Sequence, residues 1–116
     1  MKKVIIYTDG ACRGNPGPAG AGALINSVTG ETLAEVSEYL GEGTNNIAEY
    51  KAVILGLEKA IALGATEAEV FTDSQLLVRQ IKGEYRVKNE GLKPLFEQVK
   101  LLQNKFDKFA INHIPR

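Results

Sequence analysis

Residues 44–75, TNNIAEYKAVILGLEKAIALGATEAEVFTDSQ, decide how this chain folds. Tyr50, Val53, Ile54, Leu57, Ala60 and Ile61 recur at helical spacing, which predicts a helix from about Asn46 to Leu63. Ala48, Ala52 and Gly56 lie four apart on an adjacent stripe, where small residues let a helix backbone approach a sheet closely. Gly64 follows as a natural C-cap. Glu69–Thr72 reads as a short strand, and Ser74–Lys82 as a short helix ending at Gly83. Two parallel strands joined through a helix need a right-handed crossover. The strand before Asp73 is therefore expected to lie parallel to a strand already in the sheet.

Working outward, Lys3–Thr8 is β-branched and aromatic and reads as a buried strand. Ala11–Ala19 is rich in Gly, Pro and Asn and reads as a loop. Gly20–Asn26 and Thr32–Leu40 flank Ser27-Val28-Thr29-Gly30 and read as a hairpin. Downstream, Leu92, Leu95, Phe96, Val99, Leu102 and Phe106 mark a third helix, and Phe109–Ile114 alternates as a last strand. The element order is β-β-β-α-β-α-α-β, an α/β arrangement with three antiparallel strands first and two parallel additions.

The chain has 116 residues, 44% hydrophobic and 24% charged, which suits one globular domain, residues 1–116. No stretch approaches the roughly 20 apolar residues of a membrane span, and the apolar run in MKKVIIYTDG is too short for a signal peptide. Cys12 is the single cysteine, so no disulfide framework exists and a reducing, cytoplasmic location is expected. Formal net charge is zero but unevenly spread. Residues 1–78 hold 5 Lys/Arg against 10 Asp/Glu, and residues 79–116 hold 9 against 4. The basic half suits either a polyanionic partner or a solvated helix face.

Asp9, Glu49 and Asp73 each fall where an element meets a polar loop. Each has a bland reading: a turn dipeptide for Asp9-Gly10, a capping-box partner of Asn46 for Glu49, a helix cap for Asp73. Read together, they form an acidic cluster at the carboxyl end of the sheet, where α/β ligand sites lie. Such a cluster suits hard divalent ions, and two Mg2+ ions can drive in-line displacement at phosphorus, one beside the attacking water and one beside the leaving oxygen. The loop GACRGNPGPAG carries no phosphate-loop or dinucleotide fingerprint. It is either a structural loop or, with Asn15, a surface that senses a ribose 2′-hydroxyl. Thr44-Asn45-Asn46 either caps a helix or grips a phosphate there. Gln75 is either a surface residue or a reader of a base edge. His113 reads as structural, and Cys12 has no partner base that would make it a nucleophile.

YTDGACRGNPGPAGAGALI, TNNIAEYKAVILGLEKA and VFTDSQLLVRQIKG together closely resemble the type-1 ribonuclease H family, over nearly the whole chain. The resemblance implies a five-stranded mixed sheet with helices on both faces, and cleavage of the RNA strand of RNA–DNA hybrids with two Mg2+ ions (Mn2+ as substitute). Asp9, Glu49 and Asp73 match metal-binding carboxylates of that family, with Asp9 bridging both ions. Cys12, Asn15, Asn45 and Gln75 match contacts to the RNA strand, and Thr44 and Asn46 match a grip on a DNA phosphate. The family's fourth carboxylate, its product-release residue and its last helix follow the final strand, whereas this sequence ends at His113-Ile114-Pro115-Arg116. A domain lacking that helix is therefore expected, with apolar surface left for self-association. Lys82–Gly91 is short for the family's extra basic helix, which leaves Arg79, Lys82, Arg86 and Lys88 to hold the hybrid. Two alternatives stay open: a catalytically impaired nucleic-acid-binding domain of the same fold, and another nuclease of the superfamily such as a resolvase or transposase core.

Overall fold

The computed structural model describes residues 2–115. Strands β1 (Lys3–Cys12), β2 (Gly17–Ser27) and β3 (Thr32–Gly43) come first. Helix α1 (Asn45–Ala62), strand β4 (Glu67–Thr72), helices α2 (Gln75–Ile81) and α3 (Lys93–Gln103), and strand β5 (Lys108–His113) complete the order. The five strands form one sheet in the order β3-β2-β1-β4-β5. β1 is antiparallel to β2 and parallel to β4, which is the crossover that residues 44–75 demand.

Alternation along the strands separates two faces. Val4, Ile6, Ala23, Ile25, Ala68, Val70 and Ile111 are buried beneath the helices. Helix α1 lies closest, because Gly56 admits Ile6: a Cβ at Gly56 would stand 2.7 Å from Ile6 Cγ2 and 3.2 Å from Ala23 Cβ. Ala48 and Ala52, on the same small stripe, are fully buried. Leu77, Val78 and Ile81 of α2 and Val99 of α3 join this single core. Each fully buried aliphatic side chain of this kind contributes about 1.5–3 kcal/mol. Lys100 Nζ donates to the Ile81 carbonyl at 2.6 Å, which ties α3 to the end of α2.

The opposite face carries Ile5, Tyr7, Asp9, Leu24, Glu69 and Phe71, and no helix of the described residues covers it. The expectation of helices on both faces is thus corrected: α1, α2 and α3 all pack into one core on one side. The physical reason is the single polarity of the strand alternation, which offers one continuous apolar layer. No helix among the described residues is long and apolar enough to cross a membrane.

Several boundaries move in a way that matters for function. β1 continues four residues beyond Thr8, and β2 starts at Gly17, so most of the expected loop Ala11–Ala19 is hairpin, with a tight turn over residues 13–16. Arg13 N donates to Pro18 O at 2.9 Å across that turn. A side chain at Gly17 would collide with the Arg13 carbonyl, which is why glycine stands there. The peptide bond Asn15–Pro16 is cis.

Candidate active site

Two parallel strand ends and one helix start meet at the carboxyl edge of the sheet. Tyr7 on β1 pairs with Phe71 on β4, and their rings stack with centroids 5.4 Å apart. Asp9 lies two residues beyond Tyr7, and Asp73 two residues beyond Phe71. Residues two apart share one side of a pleated strand, and neighbouring strands run about 4.8 Å apart. The β1–β4 pairing runs as far as Tyr7 and Phe71, so each aspartate follows the last paired position by two residues, Asp9 still within β1 and Asp73 just past the end of β4. Thr8 Oγ1 donates to the Phe71 carbonyl at 3.4 Å, which holds the two strand ends together one step below Asp9.

Glu49 arrives from above. Gly10 is buried, and a Cβ there would collide with the Ala48 carbonyl and stand 2.5 Å from the Glu49 nitrogen. The absent side chain lets α1 descend onto β1, so the backbone of Glu49 sits beside the residue that follows Asp9. Sequence reasoning missed Gly10 as a site residue. Its signal was available: only if β1 continues past Asp9 does the strand alternation turn position 10 toward the helix.

The three bland readings fail on structural grounds. Asp9 lies within β1, paired with Gly22, and not in a turn. The N-cap of α1 is Thr44, whose Oγ1 accepts from Ile47 N at 3.2 Å, so Asn46 is not the cap and Glu49 lies outside a capping box. The N-cap of α2 is Ser74, whose Oγ accepts from Leu77 N at 3.2 Å, so Asp73 is not the cap. Ser74 N in turn donates to Thr72 Oγ1 at 3.2 Å, and Ile114 N donates to the Thr72 carbonyl at 2.9 Å. The chain around Asp73 is thereby fixed.

A second group of residues lies beside the first. Asn45 N donates to Asn15 Oδ1 at 3.2 Å, and Cys12 N donates to Asn45 Oδ1 at 3.1 Å. Cys12 Sγ also donates toward Asn45 Oδ1 at 3.3 Å. The two asparagines therefore interlock the β1–β2 turn with the first residue of α1. Both amide oxygens accept bonds within the protein, while both side chains remain exposed. Each amide NH2 is left as a donor that can face a ligand's oxygen. Asn46 and Gln75 are exposed, at the starts of α1 and α2, and Thr44 is half-buried as the cap of α1. His113 is exposed at the end of β5. Of the basic residues, Arg79 is held by Glu84 (Nη1 to Oε1, 3.7 Å) and lies 5.2 Å from the Tyr85 ring centre, while Lys82, Arg86 and Lys88 are exposed.

Among the described residues, no three His, Cys, Asp or Glu side chains are already gathered tightly enough to hold a metal ion by themselves. The donor set nevertheless fits Mg2+. Asp9, Glu49 and Asp73 offer only carboxylate oxygens, and Mg2+ keeps several waters and binds through one or two carboxylates plus substrate phosphate rather than in a closed protein cage.

Residues 7–116 match the Reverse transcriptase-like family. The chain belongs to that family as a ribonuclease H-like domain. It is 45% identical to the bifunctional protein Rv2228c of Mycobacterium tuberculosis, over 98% of this chain and 32% of that protein. It is 40% identical to ribonuclease HI of Halobacterium salinarum, over 98% of this chain and 57% of that enzyme. The domain thus spans less than two thirds of these curated relatives. The solved N-terminal RNase H domain of Rv2228c superposes with a TM-score of 0.95 at 44% identity, covering 98% of this chain and 88% of that one. LC11-RNase H1, solved in complex with an RNA/DNA hybrid, superposes at 0.92 with 46% identity, covering 97% and 86%. The five-stranded mixed sheet is that of these structures.

Proposed function

We propose that this domain is a divalent-metal-dependent endoribonuclease that cuts the RNA strand of RNA–DNA hybrids and leaves 5′-phosphate ends. One observation carries the reading: Asp9 and Asp73 each follow the last β1–β4 pair, Tyr7–Phe71, by two residues, while Gly10 admits the backbone of Glu49 beside β1. Relatives named ribonuclease H, and one solved with an RNA/DNA hybrid, support it.

Asp9, Glu49 and Asp73 would hold the cations, Mg2+ or Mn2+ in its place. When bound, divalent ions supply positive charge to the phosphodiester and lower the pKa of a coordinated water. The protein's own part is positioning. The Cys12–Asn15–Asn45 lock would hold the two amide groups ready to donate to a ribose 2′-hydroxyl, the group that separates RNA from DNA. Gln75, two residues after Asp73 in the chain, would contact the RNA strand. Thr44 and Asn46 lie at the N-terminus of α1, where free N–H groups and the helix dipole favour a phosphate of the DNA strand. The exposed Lys82, Arg86 and Lys88 add sequence-independent attraction for the duplex.

The test is a hybrid labelled on its RNA strand, incubated with the protein and Mg2+ and then with excess chelator. Cleavage of the RNA alone, with 5′-phosphate ends and full loss under chelator, is expected. Intact RNA at every Mg2+ and Mn2+ concentration sinks the reading. A second reading is a hybrid-binding domain without turnover, favoured by the absence of a ready-made acidic cage among the described residues. Tight hybrid binding with no cleavage at any Mg2+ or Mn2+ concentration would establish it.

A further inference from the structure

Helices α1 and α2 are joined by a bond that the reaction itself does not use. Tyr50 Oη donates to Gln80 Oε1 at 2.6 Å, across 30 residues of chain. Tyr50 is 1% exposed and Gln80 5%. Burial raises the Tyr50 phenol above its ordinary value, so it stays a neutral donor. Two apolar side chains of the same shape would fill this space at similar stability, because a buried hydrogen bond between neutral groups contributes little net energy. What the pair adds is direction: a hydrogen bond fixes distance and angle, whereas apolar surfaces slide over each other.

The placement of the two ends is the second observation. Tyr50 follows Glu49 directly on α1. Gln80 lies on α2, a helix of seven residues whose N-cap, Ser74, follows Asp73 directly. The bond therefore links the helix that bears one candidate carboxylate to the helix that starts beside another. Aside from this bond, α1 and α2 meet at few points. The first turns of α1 rest on β1 through Gly10 and are tied to the β1–β2 turn through Asn45, and Tyr50–Gln80 is the side-chain hydrogen bond that ties them toward α2.

We propose that the buried Tyr50–Gln80 pair is a positioning device that sets Glu49 against Asp73, and thereby the concentration of divalent cation the domain requires. This inference rests on the metal-dependent reading above. Carboxylates that share an ion with a phosphate must be held to about 0.5 Å. A slide of α1 relative to α2 on that scale would leave the fold intact and loosen the cation.

The experiment compares the parent protein with Tyr50→Phe, Gln80→Met and the double variant Tyr50→Phe/Gln80→Met. Three quantities are read: the Mg2+ concentration for half-maximal hybrid cleavage, the Mn2+ affinity by electron paramagnetic resonance without substrate, and the thermal midpoint. The single variants are expected to need about threefold to tenfold more cation, at the low end of what supporting residues contribute to metal sites, with KM for the hybrid unchanged. The double variant is expected to regain thermal stability, since no buried polar atom is orphaned, and to keep the raised cation requirement. Should the double variant recover both, or should cation affinity match the parent in all three, the pair is merely structural and the proposal is overturned. A parent that neither binds Mn2+ nor cleaves would instead overturn the functional reading itself, and this proposal with it.

Discussion

The two faces of the sheet are built from the same strands and do different work. On the helix side, Val4, Ile6, Thr8 and Gly10 of β1 are all buried, and each meets α1 or the core around it. On the other side Lys3, Ile5, Tyr7 and Asp9 alternate with them and remain open to solvent or half-buried. One face sets where the backbone goes, and the other holds the candidate carboxylate Asp9. Because strand side chains alternate strictly, a one-residue change of position exchanges these jobs. Neighbouring substitutions should therefore have unlike consequences, and that contrast is open to attack.

The largest effect is expected at Asp9. Asp9→Asn should lower the rate of hybrid cleavage by roughly a thousandfold, about 4 kcal/mol of barrier, while the thermal midpoint holds. A comparable loss of folding stability would blur the distinction between the faces. Next comes its neighbour. Gly10→Ala forces a methyl group into the Ala48 carbonyl and should cost about 3 kcal/mol of stability in urea titration, the upper range for overpacking. Full stability in that variant would mean that α1 does not need its close seat on β1.

Smaller effects sharpen the picture. Asn45→Ala removes the acceptor for Cys12 N and leaves only the bond from the residue-45 backbone N to Asn15 Oδ1 to hold the turn against α1. It should reduce the preference for hybrid over duplex DNA about tenfold, near 1.4 kcal/mol, read by competition binding. The smallest energetic change belongs to the bare face. Tyr7→Ser gives up the stack on Phe71 and should cost about 1 kcal/mol of stability. Tyr7 is 42% exposed and Tyr39 75%, so the same change, combined with Tyr39→Ser, should reduce concentration-dependent association in sedimentation. If the parent sediments as a monomer at all concentrations, the bare face does not drive association.

Much of this was legible in the amino acids, and for definable reasons. The periodicity of α1 is long and unambiguous, so the crossover and the β1–β4 pairing followed from it. The stripe Ala48, Ala52, Gly56 announced a close helix–sheet contact, and the structure has it. Asp9, Glu49 and Asp73 could be singled out because carboxylates clustered at one end of a sheet repel one another unless cations hold them. Capping was less legible. Thr44 and Asn46 are both good N-caps, and only the path of the chain after β3 selects Thr44. Likewise Asp73 and Ser74 compete for α2, and the bond from Ser74 N to Thr72 Oγ1 turns the serine inward. The hairpin length was misjudged because Gly, Pro and Asn advertise loops, while Gly17 and Pro18 here serve a paired strand. Nothing local could reveal Tyr50–Gln80, since the partners are 30 residues apart.

The contact between Gly10 and the start of α1 has a consequence for anyone who would transplant this centre. An acidic residue grafted alone onto a foreign sheet would arrive without the dimple that seats the helix. The portable unit is the consecutive pair Asp9-Gly10 together with Ala48-Glu49, two dipeptides that fit like a peg and its socket. A designer who copies three carboxylates but omits the glycine should obtain a folded scaffold whose third arm is held out of reach.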